Sequence, residues 1–156
     1  MAVLNYTTKI AATKTVGEIQ AMLAEHGASR IATDYDNGGP SGLTFSLTTP
    51  HGQKLFSLPV DVAAMHRLMV AEQEAGRLRS GGVSVAVLTS REHAERVAWR
   101  VMKDWLEAQL ALVQTQMVEI DQVLLPYLHV DNDRTVYAAY LEREGVLALE
   151  GGQLDG

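Results

Sequence analysis

Between Arg91 and Glu107 the chain reads "REHAERVAWRVMKDWLE", and this stretch holds both of its tryptophans together with three arginines and a lysine. On a helix Arg96, Arg100, Lys103 and Glu107 share one face, with Trp99 beside them. A guanidinium fork, an ammonium and a broad π surface can hold a phosphate and stack a base. Arg91, Arg96, Trp99, Arg100 and Lys103 are therefore the candidate ligand-binding residues. The same residues have a structural alternative. Glu92 with Arg96, Arg100 with Asp104 and Lys103 with Glu107 can pair along a helix, each for a few tenths of a kcal/mol, while the tryptophans anchor a core. Arg77 and Arg79 add a second basic group in "GRLRSGG", a loop that lacks the Lys-Ser/Thr ending of a phosphate loop.

Other chemistry finds little support. There is no cysteine, which excludes disulfides, thiol nucleophiles and Cys-ligated metals. His26, His51, His66, His93 and His129 form no HxH, HExxH or HxxxH pair, so no metal site is predicted. "DNDRT" at 131–135 begins like a calcium loop but lacks its glycine and closing glutamate, and an aspartate cap fits better. Ser90 and His93 lie one helical turn apart without a surrounding GxSxG, and Asp34 and Asp36 share a strand face beside a turn. Nothing pairs a nucleophile with a base, no cofactor is implied, and the reading leans away from an enzyme.

The elements that position these residues follow from periodicity. The 156 residues, 47% hydrophobic and 21% charged, suit one globular domain of about 1–144. "TVGEIQAMLAEHGA" predicts a helix over 15–26, with Thr15 and Glu18 as a capping box and Gly27 as its stop. Alternating Ile31/Thr33/Tyr35 and Leu43/Phe45/Leu47, then "KLFSL", predict a three-stranded antiparallel meander at about 29–58, turning at "DNGG" and "TPHG". A second helix is expected over 60–75, then a loop at "RLRSGGVS", with "VSVAVL" as a candidate fourth strand. From Ser90 to Leu125 no glycine or proline interrupts the helical period. A helix over 90–125 would be roughly 50 Å long and must protrude, bend or meet another chain. Its two apolar stripes suggest a sheet on one side and a partner helix on the other, most simply a symmetry mate. After "PYLHVDNDRT", Asp133 is expected to cap a short helix holding Val136, Tyr137, Tyr140 and Leu141, and 145–156 to form a frayed tail. The fold class is α+β: a small three-stranded sheet covered by helices, with one long helix in the C-terminal half.

The stretches "YTTKI", "VGEIQAMLAEHGA", "TPHG" with "LFSLP", and "AERVAWRVMKDWLEAQLA" followed by "LLPY" together resemble a group of small uncharacterised bacteriophage- and prophage-encoded proteins. The likeness spans most of residues 6–128. It implies a phage accessory protein in the host cytoplasm, of a kind that includes replication helpers and inhibitors of bacterial defence, and it transfers no catalytic residues. The start of the chain shows no leader pattern, and no run nears the ~18 apolar residues of a membrane span.

Three functions are consistent with this pattern. The first is a non-enzymatic homo-oligomer, joined through the long helix, that sequesters an anionic small ligand such as a nucleotide signal in anti-defence. The second is a single-stranded nucleic-acid binding or replication accessory protein that stacks bases on Tyr35, Phe45 and Phe56, although a net charge of −6 opposes a polyanion. The third is a protein-interaction module that acts on a host protein through the second apolar stripe of the long helix.

Overall fold

The computed structural model describes residues 3–79 and 81–154. Helix α1 spans Ala12–Glu25, followed by strands β1 (Ala28–Asp36), β2 (Gly39–Thr49) and β3 (Gly52–Pro59). The strands form an antiparallel meander in the order β1-β2-β3. Asn37 and Gly38 both take positive φ at the first hairpin, as a two-residue turn that follows the strand twist requires. In register, Phe45 pairs with Phe56 and Leu43 with Leu58, so one sheet face is continuously apolar. The Phe45 and Phe56 rings stack with centroids 5.7 Å apart at the centre of the core. That core also takes Val16, Ile19 and Leu23 of α1.

α1 begins three residues earlier than the capping-box pattern predicts. Its N-cap, Ala11, supplies no side-chain bond, and Thr15 is a buried residue inside the helix. Gly27, at φ +97, ends it as expected. α2 spans Val62–Glu74, with Asp61 Oδ1 accepting from the Ala64 amide at 2.9 Å. "VSVAVL" does not add a strand. Ser84 caps a single helical turn, α3 (Val85–Leu88), and the sheet stays three-stranded.

The long helix is shorter than predicted. α4 spans Arg91–Gln114, 24 residues, capped by Ser90, and so is about 36 Å long. Thr115 Oγ1 donates to the Leu112 carbonyl at 2.6 Å and Gln116 turns the chain at φ +64. The chain continues as α5 (Ile120–Val123) and a 3-10 turn (Leu125–Tyr127). This reversal brings Ile120 and Leu124 into the same buried cluster as Leu106 and Leu110 of α4. Most of the second stripe is thus covered by the chain itself, and Met117 is left 72% exposed at the bend. α4 packs against both α1 and α2, so the two-sided burial read as a symmetry mate has an intramolecular cause.

α6 spans Val136–Leu154, longer than the short helix expected and running through most of the predicted tail. Asp155 and Gly156 lie outside the described residues. Thr135, not Asp133, bonds its first turn: Thr135 Oγ1 accepts from the Ala138 amide at 3.2 Å. Asp131 instead closes the preceding turn by accepting from the Asp133 and Arg134 amides at 3.0 and 2.9 Å.

Candidate functional site

The basic and aromatic residues of α4 do not converge on one site. Trp99 is 0% exposed, and its Nε1 donates to the Pro40 carbonyl at 3.0 Å on the floor of the sheet. Its ring is a core anchor, and the stacking role expected of it is corrected by that burial. Arg100 turns to α1, where Nη1 lies 2.6 Å from Glu18 Oε2 and 3.5 Å from Thr15 Oγ1. Lys103 pairs with Glu107 at 3.0 Å. Arg96 pairs with Glu92 at 3.3 Å and donates to His93 Nδ1 at 3.2 Å. Arg91 lies apart from these three, in a polar hollow with Asp36, Asp61 and Glu95. Burial pushes the Glu95 carboxyl above its ordinary range, more than the nearby Arg91 lowers it. The carboxylate lies against Gly39, where an added Cβ would overlap it at 2.0 Å.

The other sequence candidates are also occupied structurally. Phe45 and Phe56 are in the core, so of the three proposed stacking aromatics only Tyr35 is exposed. Ser90 caps α4 through the His93 amide at 3.1 Å, while the His93 ring bonds the Tyr6 carbonyl and Arg96. Arg77 holds Glu72 at 2.5 Å. Asp34 accepts from Thr44 at 3.2 Å, and Asp36 faces the Arg91 hollow.

A different feature stands out. Between α2 and α4 lies an open apolar cleft of about 470 Å³. Ala64, Met65 and Leu68 form one wall and Ala98, Val101, Met102 and Trp105 the other. Tyr127 also lines it, its ring meeting Trp105 edge-on with centroids 5.8 Å apart. Small residues leave the space, while the two methionines offer adaptable surface. Asp61 is the charged residue on the lining. The signal was partly present in the sequence, because Ala98, Val101 and Trp105 belong to the first stripe and Met102 to the second. What periodicity could not supply is that the packing of α2 on α4 leaves Val101, Met102 and Trp105 partly uncovered there.

The second feature is the mounting of α6. Leu128 bridges to Phe56, and the His129 amide donates to the Leu55 carbonyl at 2.9 Å. The His129 ring donates from Nδ1 to the Asp131 carbonyl at 3.2 Å, which leaves Nε2 to accept from the Ser57 hydroxyl at 2.7 Å. A serine and a histidine at this spacing can be a nucleophile and its base. Here the ring is oriented by a carbonyl of its own turn, and Ser57 is also tied to Thr44 at 3.2 Å, so the pair fastens the 128–135 loop to β3. Arg134 completes the mount with Asp131 at 2.8 Å and Glu142 at 2.6 Å. From this root α6 extends outward, and every residue from Tyr140 to Gly145 is exposed.

No protein-family model, curated protein or solved structure matches this chain. Among the described residues no helix is long and apolar enough to cross a membrane.

Proposed function

We propose that this chain is an interaction module whose α2–α4 cleft accepts the apolar face of a helix. The observation that carries this is the cleft itself: an open trough between two helices, about 470 Å³, lined by Ala, Val, Leu and Met together with Trp105 and Tyr127. A trough of this kind suits two or three side chains at i, i+3 and i+4 of an amphipathic helix. Its two aromatics are the residue types that dominate binding energy at interfaces. The role fits an accessory protein of the sort that the phage resemblance implies.

The small-anion reading draws less support. Arg96, Arg100 and Lys103 already have carboxylate partners. The hollow beside Arg91 carries three carboxylates, whose field opposes an anion. The test is Ala64→Glu, which places a charge on the α2 wall of the cleft. Wild-type protein is expected to enhance the fluorescence of an apolar naphthalene dye and the variant to lose most of that enhancement. Equal enhancement by both, with both folded, contradicts the proposal.

A further inference from the structure

We infer that the helix seated in the cleft is α6 of a second copy of this chain, with two reciprocal seats about one two-fold axis. The inference rests on the cleft being a helix acceptor, and it names the helix. Tyr137, Tyr140 and Leu141 fall within about 100° of one another around α6, at 54%, 54% and 51% exposure. The helix packs mainly on the 3-10 turn through its first residues, and among its described side chains, up to Gly145, none lines its own chain's cleft. Most helical stability in proteins comes from packing of an amphipathic face, and Tyr137, Tyr140 and Leu141 of this helix have more than half their surface uncovered.

Two further observations point to a second copy as the cover. Tyr127 belongs to the turn that roots α6 and also lines the cleft, so the helix and the trough share one side of the molecule. From a shared side, one two-fold rotation can place each α6 in the other copy's cleft, as a self-complementary interface requires. Charge also matches. Asp61 is the charged residue on the cleft lining, and Arg143 lies about 60° around α6 from Tyr140, on the flank of the apolar face. Among the described residues neither makes an ion pair. One seat is small beside the roughly 1,600 Å² of a stable interface, which favours the reciprocal arrangement over a single contact. The bonds that fasten the 128–135 loop hold the first turn of α6 in place, which lowers the entropic cost of docking.

Light scattering of the full chain from ~10 µM to ~1 mM tests this, a range that reports dimers of micromolar to submillimolar affinity. The expected mass is twice the 17.0 kDa of one copy. Tyr140→Glu, at an exposed position that leaves the fold intact, is expected to give monomer, as is Ala64→Glu. An equal mixture of the two variants regains a weaker dimer, because one unaltered α6 meets one unaltered cleft. If Ala64→Glu fails to fold, a synthetic peptide of residues 134–150 in excess serves instead and should dissociate the wild-type dimer. A wild-type monomer across the whole range, or a dimer indifferent to Tyr140→Glu, overturns the inference. A monomer whose Met65 and Met102 methyls still respond to p-cresol would overturn the second copy as partner while leaving the cleft as a helix acceptor.

Discussion

The rings of Tyr137 and Tyr140 stack with centroids 6.2 Å apart, on a face of α6 that the rest of the chain leaves open. Paired tyrosines standing clear of a body that holds an unfilled apolar trough are the relationship on which the functional account turns. Around it, the remaining residues divide into those that build the core, those that fasten α6, and those that set the response to pH.

Trp99 belongs to the core, and its replacement should act on stability alone. Trp99→Ala is expected to cost about 3–5 kcal/mol through the lost burial and the cavity left behind. Trp99→Phe keeps much of the volume but leaves the Pro40 carbonyl without its donor, at a cost of about 1–3 kcal/mol. Urea unfolding midpoints measure both. A Trp99→Phe chain as stable as wild type would show that the bond to Pro40 contributes nothing.

Arg100 and Glu18 join α4 to α1 at 2.6 Å, with side chains 16% and 33% exposed. A double-mutant cycle with Arg100→Gln and Glu18→Gln is expected to give a coupling near 1 kcal/mol that shrinks in high salt. Zero coupling would mean that the arginine is free for another role, including the ligand contact that the sequence suggests for it.

Ser57 and His129 fasten the loop from which α6 projects. Ser57→Ala should cost about 1 kcal/mol and raise hydrogen-exchange rates at His129, Val130 and Val136, with little change in β2. Arg134→Ala should raise exchange in the first turn of α6 as well. If the loop amides are equally protected in both variants, another contact holds the root.

Three carboxyls set the acid response in opposing directions. Arg77 holds Glu72 below its ordinary range, and the backbone amide of Asp133 with Arg134 does the same for Asp131. Such groups stabilise the fold above their unfolded pKa and lose that contribution as pH falls through their folded values. Glu95 is raised by burial, so its ionisation opposes folding, and stability falls as pH rises through the carboxyl range. Glu72→Gln should therefore flatten the acid limb of a Tm-against-pH curve. Glu95→Gln should raise Tm at pH 7, with the gain fading near pH 4 and below. The opposite sign for Glu95→Gln would mean that its carboxylate has a stabilising partner.

Much of this architecture was legible because its signals are local. "DNGG" marked the first hairpin, Gly27 stopped α1, Ser90 started α4, and the alternation of Leu43, Phe45 and Leu47 placed the sheet's inner face. The misread points have no local mark. Gln116 takes a left-handed φ that usually belongs to glycine, so nothing in the sequence divided the 90–125 helix. Val85–Leu88 has strand-forming residues but finds no neighbouring edge, and the Ser84 cap decides for a helical turn. The site depended on distant pairings in the same way. Trp99 meets a carbonyl 59 positions away, and Ser57 meets a histidine 72 positions away. Helical spacing put Arg96, Arg100 and Lys103 on one face, but their acidic partners and neighbours, chiefly Glu18 of α1, are what leave that face neutralised.

The cleft itself is tested most directly by ¹³C-methyl spectra of the methionines during titration with p-cresol, the side chain of tyrosine, in the Tyr140→Glu chain where α6 no longer competes. Met65 and Met102 line the cleft, Met69 is buried behind it in a cluster on which Met65 and Val101 pack, and Met117 lies at the α4 bend. The account predicts saturable shifts at Met65 and Met102, a smaller one at Met69 behind them and none at Met117. Unchanged Met65 and Met102 signals, or shifts spread equally over all four methyls, would contradict it.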